Sequence, residues 1–455
     1  MGSLLPRRLS LLLFGLLPLL GVACGPKRPP SVVVGDPSEL TEETLNQLVQ
    51  HLRPLVEEEA GRKFETPPHA RLGRRADLEA ILESEFLDST AGVYHAPEWV
   101  LRQLAAEARR AAPGVVGKWG IQTGVLYLAP DAVAQVTTSV GLPRERAGDV
   151  ARLVLAHEMV HGLQSEVRGW EGLRDLDAVD AMRAVTEGQA NFVESRVADR
   201  LGLQDARAAL DASQGWTEDG PKSPASFELW ALYGQGMKFV AWQYAHGGNA
   251  QVWKVIAEPP ASTSMIFRPA TYSPTVSPGD DYTAALDGIE DDLTEGAWVT
   301  VVGRVEELSL REDLQGGDPA EVREVLGRLR GGTERRAFRT DRTATLRVMH
   351  FEDPAAAKAM VALAAKPRPV EVPEGVQWRD ESTPYEDVPA DAAVLRVLGP
   401  KQMGVGAETR EVWLARGDLV VAIRTQGFRP GLRLRTALED LLGRLPPSPA
   451  PGSPG

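Results

Sequence analysis

Apolar residues recur at helical spacing through the first half of the chain. Residues 38–61 begin with a Ser/Thr capping signal, and their leucines then return every three or four positions. The same spacing predicts helices over 143–166, 176–202 and 226–248, the last closed by its two final glycines. One short apolar run, 124–130, predicts a β-strand. The first half is therefore expected to be mainly helical.

The periodicity changes in the second half of the chain. Strands are predicted at 297–305 and 343–351, a capped helix at 353–365, and a hairpin at 410–425 that turns at Gly417. One more helix follows before the chain becomes rich in proline. Helices followed by mixed strands and helices are typical of the α+β class. We predict a mainly helical domain with a short edge-strand sheet, followed by a smaller α+β domain.

The N-terminal residues have the pattern of an export signal. Arg7 and Arg8 precede the apolar run 9–23, which ends at Cys24, the only cysteine in the chain. The run resembles the lipobox of bacterial lipoproteins, in which this cysteine becomes the first residue and is lipidated; Gly21 departs from the usual leucine-like residue. The alternative is a plain secretory signal with an incidental cysteine. We expect an exported protein tethered to a bacterial membrane through Cys24, with the outer membrane or cell surface favoured.

Composition suggests where the segments begin and end. Pro-rich residues follow the signal, a Pro/Gly/acid-rich stretch interrupts the middle, and the end is disordered by composition. The predicted segments are a signal peptide at 1–23, a tether at 24–40, a mainly helical domain at 41–275, a linker or long loop at 276–295, an α+β domain at 296–445 and a tail at 446–455. The helical domain carries the motif described next. The net charge of −13 argues against nucleic acid as a partner.

The motif HEMVH lies on the helix predicted at 143–166. His157 and His161 are four residues apart, so their side chains share one face of a helix and can bind one metal ion. Glu158 is rotated by about 100° from His157, where it can reach a metal-bound water as a general base. The alternative is a buried helix whose histidines bond to backbone carbonyls, but three buried polar groups would then each need a partner. The spacing favours a zinc site with one ion per chain.

A catalytic zinc site of this kind needs a third protein ligand. Gln164 and Val167 stand where a metzincin would have glycine and histidine, and a cysteine ligand is excluded because Cys24 belongs to the signal segment. A carboxylate from a later helix remains, and Glu187 follows His161 after 25 intervening residues. Antiparallel packing of the two helices would bring it to the histidines. Asn191, one turn further on, could accept a hydrogen bond from a ligand histidine and fix its tautomer. The alternative is that both residues lie on a solvated helix face.

Four segments occur in an order that resembles gluzincin-type zinc metallopeptidases, and in particular a group of exported bacterial and archaeal proteins. They are LAHEMVHGLQ, TEGQANFVE, YGQGMKFVAWQYAHGG and PPASTSMIFRPATY, and the resemblance covers about 120–272. It implies His157, His161 and Glu187 as zinc ligands and Glu158 as the base. Arg268 departs from the histidine expected before Pro269, so no substrate contact is carried over to it.

The chemistry expected of such a site is hydrolysis of a peptide bond in a peptide or protein substrate. Zinc activates a water, and Glu158 takes its proton and passes it to the leaving nitrogen. Tyr233 is a candidate oxyanion donor, although a tyrosine at helical spacing is more often part of a core. The strand at 124–130 could pair with an extended substrate as an edge strand or be an ordinary core strand. The alternative function is a non-catalytic zinc-binding lipoprotein that serves as a binding or assembly module.

Overall fold

The computed structural model describes most of the chain beyond the predicted signal and tether. The described residues are 40–94, 101, 115–167, 176–213, 216–217, 220–221, 226–275, 280–294, 297–339, 342–368, 377–386, 388–400, 408–427 and 433–446. They belong to one compact unit. The predicted signal peptide, Cys24 and nearly all of the predicted tail lie outside these residues. No helix among the described residues has both the length and the apolarity needed to cross a bilayer.

Helices make up most of the described residues before 275, as the periodicity predicted. They are α1 (Glu42–Ala60), α2 (Arg75–Tyr94), α3 (Pro130–Ser139), α4 (Ala147–Ser165), α5 (Leu176–Leu201), α6 (Gln204–Ser213), α7 (Phe227–Leu229), α8 (Gly236–Ala257) and α9 (Thr263–Phe267). A π-helical segment, Trp230–Gln235, joins α7 to α8. Helix α8 continues beyond the glycine pair predicted to close it, with a kink at Gly248, where φ is 62°.

The ends of α1 show how local sequence sets a helix boundary. The Thr41 side chain accepts a hydrogen bond from the backbone N–H of Thr44, which satisfies a donor that the helix leaves free. At the other end Gly61 adopts a left-handed conformation with φ 64°, the geometry that favours glycine as a helix terminator. The predicted capping signal and the helix are both present.

Helices α5 and α8 cross in close contact because glycines lie at the crossing. A Cβ on Gly188 would lie 2.2 Å from the carbonyl carbon of Gly236. A Cβ on Gly236 would lie 2.0 Å from the carbonyl oxygen of Ala184. Both contacts are to backbone, which cannot rotate out of the way. Apolar side chains on both helices, among them Val185 and Phe239, form a buried cluster beside the crossing. The glycines therefore fix how near the two helices lie.

We expect Gly188→Ala to destabilise the fold by about 3 kcal/mol, since the added methyl must push two backbones apart. Urea unfolding followed by circular dichroism measures this loss as a lower midpoint. Gly443→Ala is the matched control, because a Cβ there meets no atom within 4 Å and alanine favours a helix. Equal midpoints for the two variants would contradict the close crossing.

A small sheet lies beside α4. Its strands are β1 (His69–Leu72), β2 (Gly117–Gly120) and β3 (Val125–Leu128), in the order β1-β3-β2. Strand β3 pairs in parallel with β1 and in antiparallel with β2. The strand predicted at 124–130 is therefore the central one, which agrees with the alternative of a core strand and not with that of an edge strand. Strand β2 forms an edge instead. A two-residue pair, β4 (Trp216–Thr217) with β5 (Gly220–Pro221), also lies in the described part of this half.

The second half is built around a seven-stranded antiparallel sheet in the order β6-β7-β8-β12-β11-β10-β9. The strands are β6 (Val299–Arg304), β7 (Leu329–Arg339), β8 (Arg342–Phe351), β9 (Trp378–Pro384), β10 (Ala392–Pro400), β11 (Thr409–Arg416) and β12 (Leu419–Gln426). The predicted hairpin is the β11–β12 pair, and Gly417 at its turn has φ 60°. Together with the helical half, this sheet confirms the predicted α+β class.

Helices cover both faces of the large sheet. The helices are α10 (Thr283–Leu286), α11 (Ile289–Leu293), α12 (Glu307–Asp313), α13 (Pro319–Gly327), α14 (Pro354–Ala364) and α15 (Leu434–Arg444). The first two and the last bury one face, and the other three bury the opposite face. Each face thus has its own apolar core.

The segment predicted as a linker, 276–295, differs from that prediction in the part described. It contains α10 and α11, whose Leu286, Ile289 and Leu293 are fully buried against the sheet. Its glycines and acidic residues suggested a loop, but its apolar residues are spaced to cover the sheet. This segment therefore contributes to the core of the second half.

Polar contacts join the two halves. Arg268, which follows α9, pairs with Glu307 at the start of α12, with one N–O distance of 3.0 Å. The Thr263 hydroxyl accepts a hydrogen bond from the backbone N–H of Leu308 at 3.2 Å. Because Glu307 is only 2 % exposed, its charge needs the arginine beside it. Arg268 therefore joins the helical half to the second half.

Candidate metal centre

The two histidines of the HEMVH motif lie together on α4. They are separated by one helical turn, and their Nε2 atoms are 3.2 Å apart. Most of α4 is buried, so the helix is held from several sides and its side chains have little freedom. The two imidazole rings themselves keep some exposure, 13 % for His157 and 15 % for His161. The predicted pair is therefore present, and it faces a partly open space.

Glu187 reaches this pair from α5. Its Oε2 lies 3.3 Å from the Nε2 of His157 and 3.4 Å from the Nε2 of His161. Two nitrogens and one oxygen thus converge on one point, as predicted, and these residues form a group that could hold a metal ion. A tetrahedral zinc with bonds of about 2.1 Å needs ligand atoms about 3.4 Å apart. The three observed separations are close to that value, so the donor set fits zinc in both chemistry and spacing.

A carboxylate fixes the tautomer of the first histidine. The Nδ1 of His157 lies 3.1 Å from Oε2 of Glu194. The other oxygen of Glu194 accepts a hydrogen bond from Arg207 at 3.1 Å, and this arginine also pairs with Asp211. An ionised carboxylate only accepts, so Nδ1 of His157 carries a proton, and Nε2 is the nitrogen that can bind a metal ion once its own proton is lost.

An amide fixes the second histidine in the same way. Gln164 donates its Nε2 protons to the carbonyl of Thr186 and the side chain of Gln189, each at 2.9 Å. Its Oε1 therefore points at Nδ1 of His161, 2.8 Å away, and accepts that proton. Gln164 comes from α4 itself and is 3 % exposed.

The role predicted for Asn191 belongs to other residues. The Nδ1 of His157 bonds to Glu194, and the Nδ1 of His161 bonds to Gln164. The prediction that Asn191 fixes a histidine tautomer was therefore wrong. Asn191 is 2 % exposed, and its buried Nδ2 has no hydrogen-bond partner among the residues that the structure describes. Glu194 lies one turn beyond it on α5, on the same helix face as Glu187. The sequence spacing contained this signal, because positions 187, 191 and 194 all share that face.

Glu158 is held beside the small sheet. Its Oε2 accepts a hydrogen bond from the backbone N–H of Trp119 on β2 at 2.7 Å, and the residue is 8 % exposed. Strand β2 comes this close because Gly117 has no side chain. A Cβ there would lie 2.6 Å from Cγ1 of Val154 and 3.4 Å from Cγ of Glu158. One oxygen of Glu158 is thus fixed by the backbone.

Tyr233 lies next to the ligands on the π-helical segment. Its ring stacks on that of His157 with centroids 6.1 Å apart. Burial raises the pKa of Tyr233 well above its usual value, and the nearby charges of Glu187 and Glu158 raise it further. The phenol therefore keeps its proton and remains a hydrogen-bond donor. Segments of π-helix often occur at functional sites.

The charges of the ligands depend on one another. Burial alone would lower the pKa of His157, but hydrogen bonds and charge from Glu187 and Glu194 outweigh it and raise the pKa to about 10. Burial alone would raise the pKa of Glu187, yet the positive charge of His161 and the hydrogen bonds from both histidines hold it well below its usual value. Without metal, a proton on His157 offsets the carboxylates. A bound cation would replace that proton.

We expect zinc affinity to rise about tenfold for each pH unit from about 6 to 9, because binding releases the His157 proton. The direction of this pH dependence follows from the raised pKa of His157. Below about pH 10 the metal-free chain keeps the proton, so a lower pH favours the metal-free form. Competition titrations with a zinc-binding dye at several pH values measure the slope. An affinity independent of pH, after correction for the dye, would contradict this coupling.

Comparisons with known proteins give weak structural likenesses. No protein-family model matches the chain, and no curated protein matches it either. A Chloroflexus aurantiacus protein described as a "putative hydrolase with a novel fold" is 20 % identical, with a TM-score of 0.36 over 50 % of this chain and 87 % of that one. The extracellular domain of PknH from Mycobacterium tuberculosis is 10 % identical, with a TM-score of 0.22 over 36 % of this chain and 90 % of that domain. Neither likeness carries an argument about function.

Proposed function

We propose that this protein is a zinc metallopeptidase of the gluzincin type. The observation that supports it most is the convergence of His157, His161 and Glu187, whose donor atoms are 3.2 to 3.4 Å apart. Glu194 and Gln164 accept the Nδ1 protons of His157 and His161, so Nε2 is the nitrogen that each histidine can offer to a metal ion at this point. Such an arrangement prepares the site for a cation before it binds.

The arrangement favours a catalytic site over a structural one. A structural zinc usually has four protein ligands, whereas a catalytic zinc has three and an open position. Among the described residues, three side chains form this group. Glu187 is 24 % exposed and the histidines are also partly exposed, so small molecules can reach the centre. Glu158 follows a ligand directly and supports the same conclusion, because a structural site has no use for a base.

The residues divide the chemistry among them. Zinc bound here would supply a Lewis acid that acidifies water and polarises a substrate carbonyl. Glu158 would accept a proton from the attacking water at its carboxylate and deliver it to the leaving nitrogen. The hydrogen bond from Trp119 orients this carboxylate. Tyr233, protonated and stacked beside His157, would donate a hydrogen bond to the developing oxyanion.

The test of this function is cleavage of an unfolded protein, such as denatured casein, by the purified chain. Activity that a chelator removes and added zinc restores supports the proposal. A chain that binds zinc but leaves casein and a broad peptide mixture intact would instead favour the alternative, a zinc-binding surface protein without catalytic activity.

We further propose that Cys24 carries a lipid that holds the protein on a bacterial membrane. The argument rests on the sequence, in which two arginines, an apolar run and one cysteine follow in lipoprotein order. Expression in a bacterial host should place the chain in the membrane fraction, and Cys24→Ala should shift it to the soluble fraction or leave the signal uncut. Identical processing and fractionation of the parent chain and the Cys24→Ala variant would contradict this proposal.

A further inference from the structure

A glutamate from α2 contacts the edge strand that holds the candidate base. Glu85 lies on α2, and its Oε1 accepts a hydrogen bond from the backbone N–H of Ile121 at 2.7 Å. Its Oε2 lies 3.1 Å from the ammonium of Lys118 on β2. One carboxylate thus takes two donors, one from the backbone and one from a side chain. Ile121 is 41 % exposed, so solvent reaches this end of the strand.

The same strand end faces the metal centre. The backbone N–H of Trp119, on the same edge as that of Ile121, donates to Glu158. The ammonium of Lys118 lies near the carboxylates of Glu85, Glu158 and Glu187, and their charges raise its pKa although burial alone would lower it. Its side chain is 20 % exposed and that of Glu85 is 14 % exposed. A cation and a backbone donor, both bound by Glu85, therefore adjoin the candidate catalytic residues.

We propose that Lys118 and the Ile121 N–H form a subsite for an acidic side chain of the substrate, and that Glu85 of α2 occupies this subsite until substrate displaces it. The inference rests on the proposed function, since it assigns a substrate class to that site. Glu85 makes the two contacts that a substrate carboxylate needs, a charge-assisted pair and a backbone hydrogen bond. A peptide lying along β2 would present its side chains to these donors. The protein therefore favours substrates with Asp or Glu near the cleaved bond, and α2 competes with them.

The experiment measures peptide binding and does not depend on turnover. The probe is a fluorescein-labelled nonapeptide, three alanines, three glutamates and three alanines, compared with the same peptide carrying three glutamines. Three consecutive acidic positions remove the need to know the register. Fluorescence anisotropy gives the affinity for the full chain carrying Glu158→Gln, with zinc added. We expect the glutamate peptide to bind about tenfold more tightly than the glutamine peptide, as a charge-assisted contact implies.

Two variants in this background move the affinity in opposite directions. Lys118→Met keeps the apolar stem of the side chain. It should lower the affinity for the glutamate peptide about tenfold and change the affinity for the glutamine peptide less than about twofold. Glu85→Ala removes the competing carboxylate and should raise the affinity for the glutamate peptide about fivefold or more. Glu79→Ala, on the same helix, is the control for loss of one negative charge and should change neither affinity.

The outcomes separate this inference from the proposed function. Equal binding of both peptides, or a Glu85→Ala chain that binds like the Glu79→Ala chain, would overturn the subsite even if the protein cleaves peptides. The expected binding pattern in a protein whose parent form cleaves neither peptide would support the subsite and count against the peptidase. Thermal unfolding and zinc content are measured for each variant, and if Lys118→Met fails to fold, Lys118→Gln takes its place.

Discussion

The purified chain should contain about one zinc ion, and His157→Ala and Glu187→Ala should each lose it or bind it at least about 100-fold more weakly. The reason is geometric, because each variant removes one of three donor atoms that lie 3.2 to 3.4 Å apart. Two remaining ligands cannot close a tetrahedral site. Metal content by mass spectrometry, followed by competition titration with a zinc-binding dye, gives the number and the affinity.

His246→Ala is the matched control for the loss of an imidazole. His246 lies on α8, and its Nδ1 bonds to the backbone carbonyl of Trp242 at 2.7 Å, so its removal should leave zinc binding unchanged. If a well-folded parent chain bound no zinc, the histidine pair would be part of a polar core without a metal. Unchanged zinc in Glu187→Ala would leave the histidines as ligands and remove the third one.

Glu158→Gln should lower the rate of peptide cleavage by a factor of about 100 to 10,000 and leave zinc in place. Glutamine has nearly the same shape and can still accept the hydrogen bond from the backbone N–H of Trp119. What it lacks is a basic carboxylate that can take a proton from water. Initial rates on a quenched peptide substrate, measured beside the zinc content of the same sample, test both parts of this expectation.

Glu145→Gln is the control for the loss of a carboxylate near α4, because Glu145 is exposed and precedes that helix. It should retain the parent rate. Full activity in Glu158→Gln would show that another group accepts the proton. Loss of zinc together with activity would show that Glu158 acts on the metal site through its structure and not as a base.

Much of the local structure could be predicted because it depends on neighbours in the sequence. The caps of α1 and the β11–β12 turn at Gly417 follow from backbone preferences of single residues. The i, i+4 spacing of His157 and His161 predicts one shared face whatever else the chain does. Glu187 was also predicted, since a third ligand was needed and its helix could pack against α4.

The burial of the segment predicted as a linker and the central position of the strand at 124–130 have one physical reason, since both depend on distant parts of the chain. Residues 280–294 contain acidic residues and a glycine that favour a loop, but Leu286, Ile289 and Leu293 become buried only when they pack against the sheet. In the same way, the short apolar run at 124–130 predicts a strand but not the strands beside it. Its central position depends on β1, whose residues pair with partners 56 positions later in the chain.

The sequence by itself determined the class of the fold from the order of its elements, and it determined the helices and the shared face of His157 and His161 from spacing within one element. Only the tertiary structure decided which residues hold the metal-binding side chains and Glu158 in place. Glu194, Gln164 and the edge of β2 reach the centre through the packing of α4, α5 and the small sheet. The separation of α5 and α8 at Gly188 is likewise a property of two helices together. Such contacts join residues far apart in the chain, and their partners follow from packing, which no local pattern encodes.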